Sequence, residues 1–140
     1  MRTLALLVAL AVEGVSCAGQ VDPPCVVPPP TLAASSHDLG VNLSVKLMSV
    51  PITPTLGTDL KSACSETFDK LSDDNAALYM CLQAIDCYLK RGKLGQSEAV
   101  SLMTFVQQRW GGVARPLAEH PQASEVLSTQ LRIKQGYRRP

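Results

Sequence analysis

The residues of this 140-residue chain whose types could do chemistry are five cysteines and two histidines. Cysteine can serve as a nucleophile, a metal ligand or half of a disulfide, and histidine as a base or a metal ligand. His37 sits beside Asp38 in a Ser-rich stretch, and His120 precedes Pro121 at the start of a helical pattern. Neither has the spacing of a helical zinc pair, and the chain carries no Gly-x-Ser-x-Gly elbow and no phosphate-cradling glycine loop. Asp73 and Asp74 stand where helix caps are expected, not as a separated acid and base. The expectation is a protein with no catalytic residues, no cofactor and no metal.

The cysteines are better explained as bridges. Met1-Arg2-Thr3, the apolar run 4–12 and the small residues Ser16-Cys17-Ala18-Gly19 have the charged start, apolar core and small-residue exit of a secretory signal. The run is too short for a permanent span, which needs about 20 apolar residues. Cleavage after Ala18 removes Cys17 and leaves Cys25, Cys64, Cys81 and Cys87, an even set in an oxidising compartment. Cys81 and Cys87 fall on one helix about 9 Å apart along its axis, too far to pair. Cys64 to Cys81 across a helical hairpin is the first choice, leaving Cys25 to Cys87. Zinc is the minor alternative, because no close Cys-x-x-Cys pair is present.

The elements that position these residues follow from periodicity. Residues 1–18 form the signal and 19–56 an extended lead holding Pro23, Pro24, Pro28, Pro29 and Pro30. Within that lead Val41, Leu43, Val45 and Leu47 alternate with polar residues and Met48, which predicts one half-buried strand ended by Pro51 and Pro54. Residues 57–140 predict a small four-helix, disulfide-stabilised domain, so the fold class is mainly α. Its first helix is capped by Thr58 and turns Leu60, Ala63, Cys64, Phe68 and Leu71 inward. Ser72-Asp73-Asp74-Asn75 separates it from a second helix with Leu78, Cys81, Leu82, Ile85 and Leu89 on one face. A third runs from a Ser97 cap to Trp110 and stops at Gly111-Gly112, with Val100, Met103, Val106 and Trp110 inward. Pro121 opens the fourth, whose stripe is Ala123, Val126, Leu127 and Leu131.

The net charge of +1 argues against nucleic acid or an anionic membrane as partner, because both select clustered Lys and Arg. The one basic cluster, Arg132, Lys134, Arg138 and Arg139, reads as a solvated C-terminus. A protein partner is the remaining class, with Tyr79, Tyr88 and Trp110 as candidate interface anchors. Asn42-Leu43-Ser44 matches the N-glycosylation acceptor, which matters in a eukaryotic source.

Residues 57–136 resemble the Rap/Tai immunity-protein family of bacterial type VI secretion. The resemblance rests on Gly57, Leu60 and Cys64, on a second helical cysteine, Cys81, and on His120-Pro121 opening a last helix with Val126, Leu127 and Leu131. The chain departs from the family after Cys81, where Leu82-Gln83-Ala84-Ile85 replaces Gly-Tyr-Ile-x-Gly, and it lacks the later Cys-Leu-Pro loop and closing cysteine. The resemblance implies a periplasmic protein that binds a peptidoglycan amidase effector, occludes its cleft and often forms a homodimer. Two other readings compete. One is an outer-membrane lipoprotein such as a secretion pilotin, on the membrane only through a lipidated Cys17. The other is a eukaryotic secreted factor glycosylated at Asn42.

Overall fold

A computed structural model of the chain describes Cys25 and residues 32–137. The predicted signal 1–18 with Cys17, residues 19–31 of the Pro-rich lead apart from Cys25, and Arg138 and Arg139 lie outside these residues. The described part is mainly helical: α1 (His37–Met48), α2 (Leu56–Lys70), α3 (Asp74–Lys90), α4 (Gln96–Trp110) and α5 (Ala123–Gln135), with single 3-10 turns at Ala34–Ser36, Gly112–Ala114 and Leu117–Glu119. The helical part therefore begins well before residue 57.

The predicted strand is α1, which corrects both the strand and the count of four helices. A lone strand would leave its backbone groups without partners, whereas a helix satisfies them within the segment. Asp38 in the first turn and Lys46 in the last match the helix dipole. The buried face is Gly40, Leu43, Ser44 and Leu47, a spacing of three and four, and Val45 points outward. Leu43 and Leu47 fit both periods, which made the alternation misleading. Gly40 has no Cβ where the Leu32 side chain packs, the Leu32 Cγ lying 3.8 Å from the place a Cβ would take.

In α2 the cap is Thr55, not Thr58, which is exposed within the first turn. The Thr55 hydroxyl donates to Asp59 Oδ2 at 3.0 Å. Leu60, Cys64, Phe68 and Leu71 are buried as the pattern predicts. Across the α1–α2 seam, Glu66 accepts from Lys46 Nζ and meets Lys70, both at 2.7 Å. The Lys46 bond and then Lys70 hold its carboxyl down to about 2.

Asp73 accepts the Ala76 N–H at 3.1 Å and caps α3. This helix packs against α1, α2, α4 and α5 and is buried around most of its circumference, as an almost continuously apolar helix requires. Its Tyr88 hydroxyl donates to the Leu47 carbonyl at 2.9 Å and closes the C-terminal end of α1. Cys25 is bonded to Cys87 with 5.4 Å between their Cα atoms, so the lead is tied to the central helix. Arg91 Nη1 lies 3.6 Å from the Cys25 sulfur.

The third predicted helix is α4, capped at Gly95 in place of Ser97. It ends at Gly111, whose φ of 143° is one that side-chain-bearing residues rarely adopt. In α5 Pro121 precedes the helix, and the inward stripe is Val126, Thr129, Gln130 and Ile133. Leu127 and Leu131, expected inside, are 48% and 45% exposed. The Thr129 hydroxyl satisfies itself by donating to the Glu125 carbonyl at 2.8 Å, which lets a polar residue occupy the core face.

Candidate binding site

A cleft of about 520 Å³ lies between α4 and α5, closed at one end by the segment that joins them. Val100, Met103, Thr104 and Gln107 reach it from one face of α4, and Gln130 and Lys134, one turn apart, reach it from α5. Met103 and Trp110 supply a buried apolar floor. Gln130 is only 6% exposed and lines the cleft from the α5 side.

A polar hub fixes the closed end. Trp110 Nε1 donates to Asn75 Oδ1 at 2.8 Å. The Arg115 guanidinium stacks 4.2 Å from the Trp110 ring and donates to Asp74 Oδ2 at 2.7 Å and to the Trp110 carbonyl at 2.8 Å. His120, 4% exposed, uses both ring nitrogens. Nδ1 accepts the Gln122 N–H at 2.9 Å, so Nε2 carries the proton and donates to the Asn75 carbonyl at 2.8 Å. The histidine is thus a fastening between the α5 approach and the start of α3. Trp110 itself is 5% exposed, inward on α4 as its stripe predicts, and forms an internal wall of the cleft.

A second polar network joins α3 to α5. The Tyr137 hydroxyl donates to Asp86 Oδ1 at 2.6 Å, and Arg132 Nε donates to Asp86 Oδ2 at 3.2 Å. Partial burial and the Asp86 carboxylate push the Tyr137 phenol up to about 12. Gln83 Nε2 and Arg132 Nη2 both donate to the Thr129 hydroxyl, each at 3.1 Å. Sequence reading missed Asp86 and Tyr137. A carboxylate inside the apolar run of α3 was the signal, since a buried charge requires partners.

The other candidates are placed as follows. Tyr88 is fully inside and Tyr79 nearly so, at the edge of the α3–α5 groove, so neither ring is a free anchor. Burial and then Glu125 raise the Tyr79 phenol. Asn42 is exposed on α1, while Ser44 of the same acceptor triplet is buried. Cys25 and Cys87 form the second of the two expected bridges. Cys64 and Cys81 are buried thiols in this structure, which corrects the first-choice bridge. They are neighbours across α2 and α3, with the Cys81 sulfur 3.9 Å from the Cys64 carbonyl. Burial, with the Cys64 thiol beside it, pushes the Cys81 thiol well up, away from the thiolate a nucleophile needs. Among the described residues no group of three His, Cys, Asp or Glu side chains is arranged to hold a metal, and no helix is long and apolar enough to cross a membrane. No family model, curated protein or solved structure matches this chain.

Proposed function

We propose that this chain is an exported, non-enzymatic helical binding protein, and most specifically a periplasmic immunity protein that binds a peptidoglycan amidase effector and blocks its active-site cleft. The observation that carries the reading is the outer face of α5. Leu127 and Leu131, one turn apart on a helix whose core stripe lies elsewhere, leave two large apolar side chains about half exposed. The Cys25–Cys87 bond is compatible with export, and the resemblance over residues 57–136 supplies the partner. Gly57, Leu60, Cys64, Cys81 and His120, on which that resemblance rests, have packing or fastening roles. Inhibition is steric: a rigid helix edge fills the enzyme's cleft and no bond is made or broken.

The test begins with the neighbouring genes, where the reading expects an amidase, and continues with inhibition of that enzyme assayed on purified peptidoglycan. Stoichiometric loss of hydrolysis is expected, and Leu127→Asp combined with Leu131→Asp should weaken it by about tenfold or more while leaving the helical fold intact. Full hydrolysis in the presence of excess chain overturns the reading. Mass spectrometry of the mature N-terminus should find cleavage after Ala18; a diacylated Cys17 would make the anchored pilotin the better account.

A further inference from the structure

We infer that the Cys25–Cys87 bond is a thiol-exchange site with a fixed direction: a small thiolate attacks the Cys87 sulfur and expels Cys25 as a thiolate beside Arg91. The inference rests on the groups around this bond and not on the amidase reading. Arg91 directly follows the last residue of α3, and its Nη1 lies 3.6 Å from the Cys25 sulfur. Its Nε is the one buried side-chain nitrogen or oxygen among the described residues that has no hydrogen-bond partner. Arg91 makes no ion pair with a described carboxylate. A disulfide sulfur is neutral and a weak acceptor, so it satisfies the guanidinium poorly. A thiolate in the same place would supply the missing anion.

Burial and the helix decide which sulfur takes the charge. Cys25 is fully buried, whereas Cys87 keeps part of its surface exposed, so an incoming thiolate reaches Cys87. Cys87 also stands in the last turn of α3, where the negative end of the helix dipole disfavours an anion. Cys25 has the Arg91 cation instead. In the first step the incoming sulfur bonds to Cys87 Sγ, the Cys25–Cys87 bond breaks, and its electron pair stays on Cys25 Sγ, where the guanidinium meets it. A second thiolate then attacks the sulfur of the bound thiol and leaves with it as a disulfide, and Cys87 takes the electron pair and then a proton. Two small thiols are oxidised to one disulfide, and the protein bond is reduced to two thiols. Exchange is faster the more stable the leaving thiolate, so Arg91 speeds the opening step.

The probe is reduced glutathione. Residues 19–140 are mixed with it under native conditions, quenched with N-ethylmaleimide at intervals and mapped by mass spectrometry. The trapped intermediate should carry glutathione on Cys87 and maleimide on Cys25. Glutathione on Cys25 overturns the direction, and a bond that opens only when the chain is unfolded overturns the site. Arg91→Met should open the bond roughly threefold to tenfold more slowly, and Arg91→Lys, which keeps the charge, should recover most of the lost rate. In urea, where the guanidinium is no longer held beside the sulfur, the parent and Arg91→Met should react alike. A folded Arg91→Met variant reduced as fast as the parent overturns the role of Arg91, as does Arg91→Lys reacting as slowly as Arg91→Met. If Arg91→Met does not fold, the sulfur that carries glutathione in the parent decides alone.

Discussion

The Tyr137 phenol, one residue beyond the glycine that ends α5, donates a 2.6 Å hydrogen bond to Asp86 in the last third of the central helix. This bond fastens the end of the chain's last helix to α3, beside the pairing of Asp86 with Arg132. Partial burial, and then the bond to Asp86, which needs the phenolic proton, raise the phenol's pKa on folding from its usual 10.0 to about 12. The protonated phenol is the favoured form in the folded chain. The stability from this source is therefore complete below about pH 10 and is lost as pH rises through about 12. Thermal melts across that range should show an alkaline fall that shrinks in Tyr137→Phe. It should not vanish, because burial also raises Tyr79 and Tyr88. An unchanged alkaline profile in Tyr137→Phe would remove the Asp86 bond from the account.

Cys64 and Cys81 are reduced and sealed between α2 and α3, so their reactivity is governed by unfolding. Alkylation of residues 19–140 with iodoacetamide under native conditions should leave both unmodified, and alkylation in denaturant without reductant should add two groups while Cys25–Cys87 stays closed. A denatured chain that takes up no label would mean that the two thiols have joined.

Much of the helical bundle was legible because its inward residues are apolar at a spacing of three and four. Leu60, Cys64 and Phe68 in α2, and Leu78, Cys81, Leu82, Ile85 and Leu89 in α3, are buried as their order predicts. The errors came where one pattern fitted two structures. Leu43 and Leu47 suit a strand or a helix, and only the packing of α1 on α2 and α3 decides. In α5 the eye follows Leu127 and Leu131, whereas the core takes Val126 and Ile133 together with Thr129 and Gln130. Thr129 is acceptable inside because its hydroxyl finds partners, a fact about geometry that composition does not carry. The cleft is legible only in three dimensions, since Gln107 and Gln130 come from different helices.

Tyr88 bridges α3 to α1 through the Leu47 carbonyl, with the Val50 carbonyl further off at 3.5 Å. Tyr88→Phe keeps the ring but leaves the Leu47 acceptor buried without that donor, a cost of about 1–3 kcal/mol. The loss should be local as well as global. Hydrogen exchange in α1 should quicken relative to α3, because the bond closes the end of α1 where helix carbonyls lack partners within the helix. A variant that melts like the parent and exchanges no faster in α1 would show that the contact with Leu47 carries little weight.

The two faces of α5 give the sharpest contrast. Ile133 is fully buried, so Ile133→Ala should cost about 2–5 kcal/mol through lost contacts and a residual cavity. Leu131, two positions earlier and 45% exposed, should change stability by no more than about 0.5 kcal/mol when cut to alanine, because solvent already occupies much of its surroundings. Urea unfolding of the two variants measures the difference directly. The opposite order, with Leu131→Ala the more damaging, would turn α5 about its axis. It would leave the outer face of α5 without its apolar pair, so one pair of urea curves bears on the proposed binding surface as well as on the fold.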